Sequence, residues 1–393
     1  MRGGAETHLA ELLPVLQARG HDVRIFVAGA RGPLAEQLAR DGIVIEPANA
    51  IAVAQSLPAF IRRFARLALF LPNFLGFVWR HRQSTFHIFL PETVIVCGMI
   101  LWPLRRRFLV SQRSMLNYRA KYPAIVMRME RFVFGNARMV LANSQAVRQE
   151  LLDDGVAAEK IHIIYNGLSN ARLSPIGAGR DTSRAELGLE NGALVFAVVA
   201  NLFVYKGYSD LIKALGMIRS QLPPEWVLIC IGRDVEEARD ASPGRLMSNQ
   251  KRFEREAVAA GIAGHVRFLG ERVDAPELLR AVDIAVLPSH EEGFSNALIE
   301  KMAAGLPIVA TTVGGAYEAL DGGKAGLLVP ANDPAALSEA LLKLVENPML
   351  CGELGLIARA RALELYSIET CADAYERIYV AYIRGATGRL FGT

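Results

Sequence analysis

Two patterns of apolar positions alternate along this chain. Short, nearly continuous apolar runs are separated by longer stretches in which apolar residues recur every three or four positions. In the second half the runs are Leu194–Leu202, Trp226–Gly232, Val266–Gly270, Ile284–Ser289, Pro307–Val313 and Gly326–Pro330. Helical periodicity fills most of the gaps, as in Tyr208–Leu222, Glu277–Ala281 and Ser295–Ala304. Runs that are apolar on both faces predict strands covered on both sides, and intervening helices predict βαβ units. The first half repeats this less cleanly, with runs at Val23–Ala28, Ile43–Ile45, Phe86–Phe89, Phe108–Ser111, Met139–Ala142 and His162–Tyr165. The expected class is α/β, with two Rossmann-like, doubly wound parallel-sheet domains. Asn166–Gly179, rich in Gly, Ser and Pro, predicts the linker between them. The expected domains are therefore residues 1–168 and 180–367, followed by a mainly helical segment, 368–393.

Ligands of open α/β sheets bind beyond the carboxyl ends of the strands, and the candidate chemistry of this chain falls just after its apolar runs. Glu292-Gly-Phe-Ser-Asn-Ala-Leu-Ile-Glu300 follows the run Ile284–Ser289 and opens a helix. It places one carboxylate before the helix and another on its early turns. The backbone N–H groups of Phe294, Ser295 and Asn296 are expected free at the helix start, where the dipole favours an anion or a polar sugar rim. Asn201-Leu-Phe-Val-Tyr-Lys206-Gly207 follows another run, and a lysine on a glycine-bearing turn can reach a diphosphate as a point charge. Gly232 of Gly232-Arg-Asp234 lies on a similar turn, where glycine permits close approach of a ligand. In the first half, Ser111-Gln-Arg113-Ser-Met-Leu-Asn117 ends a run, which makes Arg113 and Asn117 candidates for lining an acceptor side. Asn143-Ser144 ends another; residues of these types serve equally well as helix caps.

The stretch Ser289-His-Glu-Glu-Gly-Phe-Ser-Asn-Ala-Leu-Ile-Glu-Lys-Met-Ala-Ala-Gly-Leu-Pro-Ile-Val-Ala-Thr-Thr-Val-Gly-Gly315 resembles the signature of retaining family 4 glycosyltransferases. Those enzymes have the GT-B fold, in which two Rossmann-like domains face a central cleft, and carry a Glu-x7-Glu motif. The resemblance runs from Gly3 to about residue 380. It implies that Glu300 binds the ribose hydroxyls of a nucleotide and that Glu292 contacts the donor sugar at its reacting end. It implies a basic pair against the diphosphate, of which Lys206 matches one member; Asn201 stands where an Arg is often found. Phe268-Leu-Gly-Glu-Arg272 matches the turn beside the base, so Arg272 is a candidate to stack on the base or to help the diphosphate. Gly3-Gly4-Ala-Glu6 resembles the glycine-rich turn after the family's first strand, and the last helix is expected to cross back onto the first domain. Two departures stand out. The sequence begins at that turn, without the strand that precedes it, which suggests a reading frame starting upstream. Many members also carry His-x-His after a later strand, whereas this chain has His87 and then Phe89; His87 either substitutes or is a core histidine.

Composition narrows the alternatives. The four cysteines are far apart, no CxxC occurs, and the seven histidines show no metal-binding spacing, so neither a disulfide framework nor a zinc site is expected. No signal peptide or spanning helix is expected either. Net charge is +4, yet residues 59–150 hold 15 Lys plus Arg against 3 Asp plus Glu. Phe60–Arg82 and Trp102–Phe108 mix arginines with bulky apolar residues, which suits an anionic membrane surface as well as a solvated basic face. No nucleic-acid fold or base-stacking motif accompanies the charge, so no nucleic-acid partner is expected. A nicotinamide oxidoreductase is disfavoured because no GxGxxG follows a strand. The expected protein is a metal-independent, cofactor-free retaining glycosyltransferase. It would act from a UDP- or GDP-type sugar on a lipid-linked or saccharide acceptor in cell-surface polysaccharide or glycolipid synthesis. Its expected place is cytoplasmic, peripheral on the inner membrane. A GT-B epimerase acting on a nucleotide-sugar and an inactive GT-B scaffold are the alternatives.

Overall fold

The computed structural model describes residues 4–27, 33–47, 59–174, 179–190, 192–239 and 242–384, with the side chains of 33, 47, 59–68, 238–239, 242–246 and 384 not described. Gly3, Ala28, residues 175–178 of the expected linker and the side chains of Phe60–Arg66 therefore lie outside the description.

In chain order the elements begin α1 (Gly4–Ala18), β1 (Arg24–Val27), α2 (Pro33–Arg40), β2 (Val44–Pro47), α3 (Ala59–Arg80), β3 (Phe86–Phe89) and α4 (Pro91–Leu101). They continue with β4 (Phe108–Gln112), α5 (Ala124–Asn136), β5 (Met139–Ala142), α6 (Gln145–Asp153), β6 (Ile161–Ile163), α7 (Asn170–Leu173) and α8 (Arg180–Glu186). Next come β7 (Leu194–Val199), α9 (Tyr208–Ile218), β8 (Trp226–Ile231), β9 (Glu236–Arg239), β10 (Ser242–Ser248), α10 (Asn249–Ala259), β11 (Val266–Gly270) and α11 (Ala275–Leu278). The chain ends with β12 (Ile284–Leu287), α12 (Asn296–Ala303), β13 (Ile308–Thr311), α13 (Ala316–Ala319), β14 (Leu327–Val329), α14 (Pro334–Glu346), α15 (Pro348–Leu365) and α16 (Ile368–Arg384).

These elements form two compact units: Met1–Asn143 with Val147–Gly167 and Ile368–Thr393, and Ser144–Ala146 with Leu168–Ser367. In the first unit, β3, β4, β5 and β6 pair in that order, all parallel. Alternate residues face opposite helix layers, as a pleated strand requires. Phe108, Val110 and Val140 pack with Phe74, Phe77 and Phe134, while Leu109, Met139 and Leu141 pack with Leu12 and Leu16 of α1 and Tyr375 and Ile378 of α16. Strands β1 and β2 pair separately as a two-stranded parallel sheet. Phe26 of β1 meets Phe70, Phe74 and Phe77 of α3 at ring distances of 5.7, 5.2 and 5.1 Å, so ring packing, with no ladder among the described residues, ties β1 to the rest.

The second unit holds one parallel six-stranded sheet, ordered β11-β8-β7-β12-β13-β14. Strands β7, β8, β12 and β13 are apolar and covered on both faces, which is why they read as continuous runs. The chain winds outward from β7 through β8 to β11, then returns to the other side of β7 with β12. The order therefore reverses between β7 and β12, the switch point at which doubly wound sheets open a crevice. The pair β9 and β10, which the apolar pattern does not announce, adds a two-stranded antiparallel sheet.

Candidate active site at the switch point of the second sheet

Strands β7 and β12 pair only through Ile284 with Phe196 and Ala285 with Ala197, and then part. The loops that follow them flank the opening. Lys206 comes from the loop after β7, and Glu292 from the loop after β12. The Lys206 Nζ donates to Glu292 Oε1 at 2.6 Å, and Ser289 Oγ donates to the same oxygen at 2.9 Å. Burial opposes the charge on Lys206, but the Glu292 carboxylate outweighs it and holds the lysine above its ordinary pKa. Glycines let these loops meet. Gly207 has φ +73°, and a Cβ there would lie 1.8 Å from the Pro288 carbonyl oxygen. Gly314 has φ +52°, and its Cβ would lie 1.8 Å from the Glu292 carbonyl oxygen. Only a residue without a side chain brings these backbones so close. His290 adds a cross-link: its N–H donates to the Tyr205 carbonyl at 2.7 Å, and its ring lies 2.6 Å from Asp210.

Glu300 is buried at 5% exposure on α12, in the fifth of its eight positions and so on the second turn. The guanidinium of Arg172, on α7, grips its Oε1, with Nε at 2.9 Å. The stretch read as a plain linker thus contributes a helix and a charged partner to the second unit. Helix α12 starts at Asn296, with Ser295 as its N-cap. The Ser295 hydroxyl accepts from Leu298 N–H at 3.4 Å, and the Ser295 carbonyl accepts from Leu298 and Ile299. The cap thus serves the N–H groups of Leu298 and Ile299, which follow the three expected donors of Phe294, Ser295 and Asn296. Phe294 is buried and meets Tyr366 edge-on at 5.2 Å. Next to Glu300, Lys301 is fully buried, and its Nζ donates to the Val286 carbonyl at 2.8 Å.

Other expected donor residues are differently engaged. Asn201 accepts the backbone N–H of Arg233 at 3.1 Å. At Gly232 a Cβ would sit 1.9 Å from the Ala200 carbonyl oxygen, so what approaches this glycine is the chain leaving β7. Arg272 is held by Asp274, at 2.7 and 2.5 Å, and by Glu186 at 2.7 Å. Its guanidinium is thus paired with two carboxylates of its own surroundings. Gly4 opens α1, exposed, with nothing within 4 Å of a Cβ built on it.

In the first unit, His87 Nδ1 lies 2.9 Å from the Tyr379 hydroxyl and Nε2 lies 2.9 Å from Ser111 Oγ. Burial, assisted by the Arg113 charge, lowers its pKa to about 3, so it is a neutral histidine with both nitrogens bonded. Arg113 donates to the Tyr375 hydroxyl at 3.1 Å and to Asn166. Asn117 is exposed on a short 3-10 turn. Asn143 donates to the Arg113 carbonyl at 3.0 Å, bracing that loop rather than capping a helix.

Two family profiles cover the chain almost from end to end. That of glycosyltransferase family 4 matches residues 2–172, and that of the glycosyl transferases group 1 matches residues 179–361. The chain belongs to the group 1 glycosyltransferases of family 4. It is a transferase that works from a nucleotide-sugar donor. This glycosyltransferase is 28% identical over 398 residues to the D-inositol 3-phosphate glycosyltransferase of Corynebacterium jeikeium (strain K411), covering 96% of this chain and 91% of that one. Anabaena HepE, solved in complex with UDP, matches with a TM-score of 0.78 at 22% identity over 97% of both chains. Sucrose-phosphate synthase from Thermosynechococcus elongatus matches with a TM-score of 0.78 at 22% identity, over 98% of this chain and 94% of that one. These likenesses establish the GT-B fold.

Proposed function

We propose that this glycosyltransferase transfers a sugar with retention at the anomeric carbon, from a UDP- or GDP-sugar held at the switch point of the second unit. The observation that carries the reading is the Lys206–Glu292 pair at 2.6 Å where β7 and β12 part, with Glu300 on the helix behind it. An entering diphosphate competes with Glu292 for Lys206. The carboxylate released in this way accepts hydrogen bonds from sugar hydroxyls, while Lys206 and the start of α12 offset the charge that grows on the departing diphosphate. Glu300 takes the ribose hydroxyls, with Arg172 holding its orientation. His87, with both nitrogens bonded, ties β3 to Ser111 of β4 and Tyr379 of α16 and is assigned no proton transfer. Arg113 and Asn117 remain the acceptor-side candidates. The mechanism needs no metal ion for the departing charge. The anomeric configuration of the product tests it: proton NMR of a product made from an α-linked donor is expected to show an α linkage, and a β linkage contradicts retention.

The acceptor we assign to this enzyme is a lipid-linked or saccharide intermediate of cell-surface polysaccharide or glycolipid synthesis, met at an anionic membrane. Support comes from the first unit. Helix α3 buries Phe70, Phe74, Phe77 and Val78 and exposes Leu71, Leu75 and Trp79 as a stripe on its other face. Beside it, Arg106 donates to the Arg82 carbonyl at 3.1 Å, Arg82 lies over Trp79 at 5.7 Å, and the exposed Trp102 packs on Phe132. No helix among the described residues is long and apolar enough to cross a membrane, so contact would be interfacial. A small anionic polyol is the second acceptor reading, favoured by the D-inositol 3-phosphate glycosyltransferases among the relatives.

A further inference from the structure

Two ion pairs of the candidate site each match a cation with an anion. Lys206 is bonded to Glu292 and Arg172 to Glu300, so these four side chains sum to zero charge. A nucleoside diphosphate brings negative charge into a neutral set. Asn201, where the family resemblance expects a second cation, carries no charge, and its Oδ1 accepts a backbone N–H.

Lys301 stands outside this balance. Its side chain is fully buried on α12, and its Nζ donates to the Val286 carbonyl. Val286 lies one residue beyond the last pair between β12 and β7, so the amine sits at the floor of the opening where the two strands part. Among the described residues it forms no ion pair. A buried ammonium with one carbonyl partner is costly, and methionine would fill nearly the same volume without that cost. A charge retained against such a cost, beneath a ligand crevice, points to function.

We propose that Lys301 is the second positive charge of the diphosphate site, a positioning residue that acts from beneath through its field on Glu292, Lys206 and the entering donor. The inference rests on the donor-site reading given above. The charged groups that act on the amine are Glu292 from the loop after β12, Glu300 from its own helix and Lys206 from the loop after β7. Burial is the largest influence and lowers the pKa to about 8; the two glutamates raise it and Lys206 lowers it. The charge is therefore present at neutral pH and lost in mild alkali, and a bound diphosphate holds the proton more tightly.

The test is the affinity of UDP, with GDP in parallel, measured by calorimetry for the wild type and Lys301→Met from pH 7 to pH 9. The ligand's own ionisation cancels in the ratio of the two proteins. The wild type is expected to bind about tenfold more tightly at pH 7 and about twofold more tightly at pH 9, as the amine loses its proton. Equal affinities at pH 7, or a ratio that does not change with pH, overturn the proposal. Should Lys301→Met fail to fold, the wild type alone decides: uptake of about half a proton on UDP binding at pH 8 is expected from the linkage, and no uptake refutes it. A wild type that binds neither nucleotide defeats the donor-site reading, and this inference with it.

Discussion

Burying a lysine without a counter-carboxylate makes stability depend on pH, and Lys301 fixes the sign. Its folded pKa is about 8, below the ordinary 10.5. Between those values the unfolded chain binds more protons than the folded one, so stability rises with pH through that window. Below pH 8 the full penalty is present, on the order of 3 kcal/mol. Lys301→Met is expected to be more stable than the wild type at pH 7 by an amount of that order in urea unfolding, with the margin shrinking toward pH 10. A variant less stable than the wild type at pH 7 would contradict the account of this side chain. The same residue shows where reading the sequence stops. Glu292, Glu300 and Lys206 stand just after apolar runs, and their spacing could be weighed. A lysine on a helix and an arginine among Gly, Ser and Pro read as solvated charges, so Lys301 and Arg172 carried no signal. Nor did the partners of His87 and Arg113, since Tyr379 and Tyr375 lie 292 and 262 residues further along.

Among the elements, the second sheet was the most legible. Its four inner strands are covered on both faces, so hydrophobicity alone marks them. The run Leu194–Leu202 overshoots β7, which stops at Val199 because the chain then crosses Gly232 on its way to Lys206. The antiparallel pair of β9 and β10 carries no signal in the sequence, because Glu236-Glu-Ala-Arg239 has neither an apolar run nor alternation. Helix α12 depends on a cap that was legible as a residue type but not as a role. Ser295→Ala is expected to cost about 1 kcal/mol in urea unfolding, because the Leu298 N–H loses its hydroxyl acceptor. Ser295→Asp is expected to restore most of this loss; equal stability of Ser295→Ala and the wild type would show that the cap contributes nothing.

At the scale of the whole chain, the modest net charge hides a strong imbalance, with the excess of arginine and lysine lying within residues 59–150 of the first unit. Basic side chains next to exposed tryptophans bind anionic interfaces by two additive means, apolar insertion and charge. Cosedimentation with phosphatidylglycerol vesicles is expected at low salt and should weaken as salt rises. Trp79→Ala combined with Trp102→Ala should reduce it severalfold, and equal binding to neutral vesicles would contradict the electrostatic part. The central claim is the proposal that Lys206, Glu292 and Glu300 serve one donor site at the switch point of the second unit. The most direct measurement is the thermal shift given by UDP, GDP and ADP to the wild type, Glu300→Ala and Lys206→Ala. Stabilisation of the wild type by UDP or GDP, lost in both variants, is the predicted result. A folded wild type that none of the three nucleotides stabilises, or stabilisation that survives both substitutions, would contradict the assignment of the donor site.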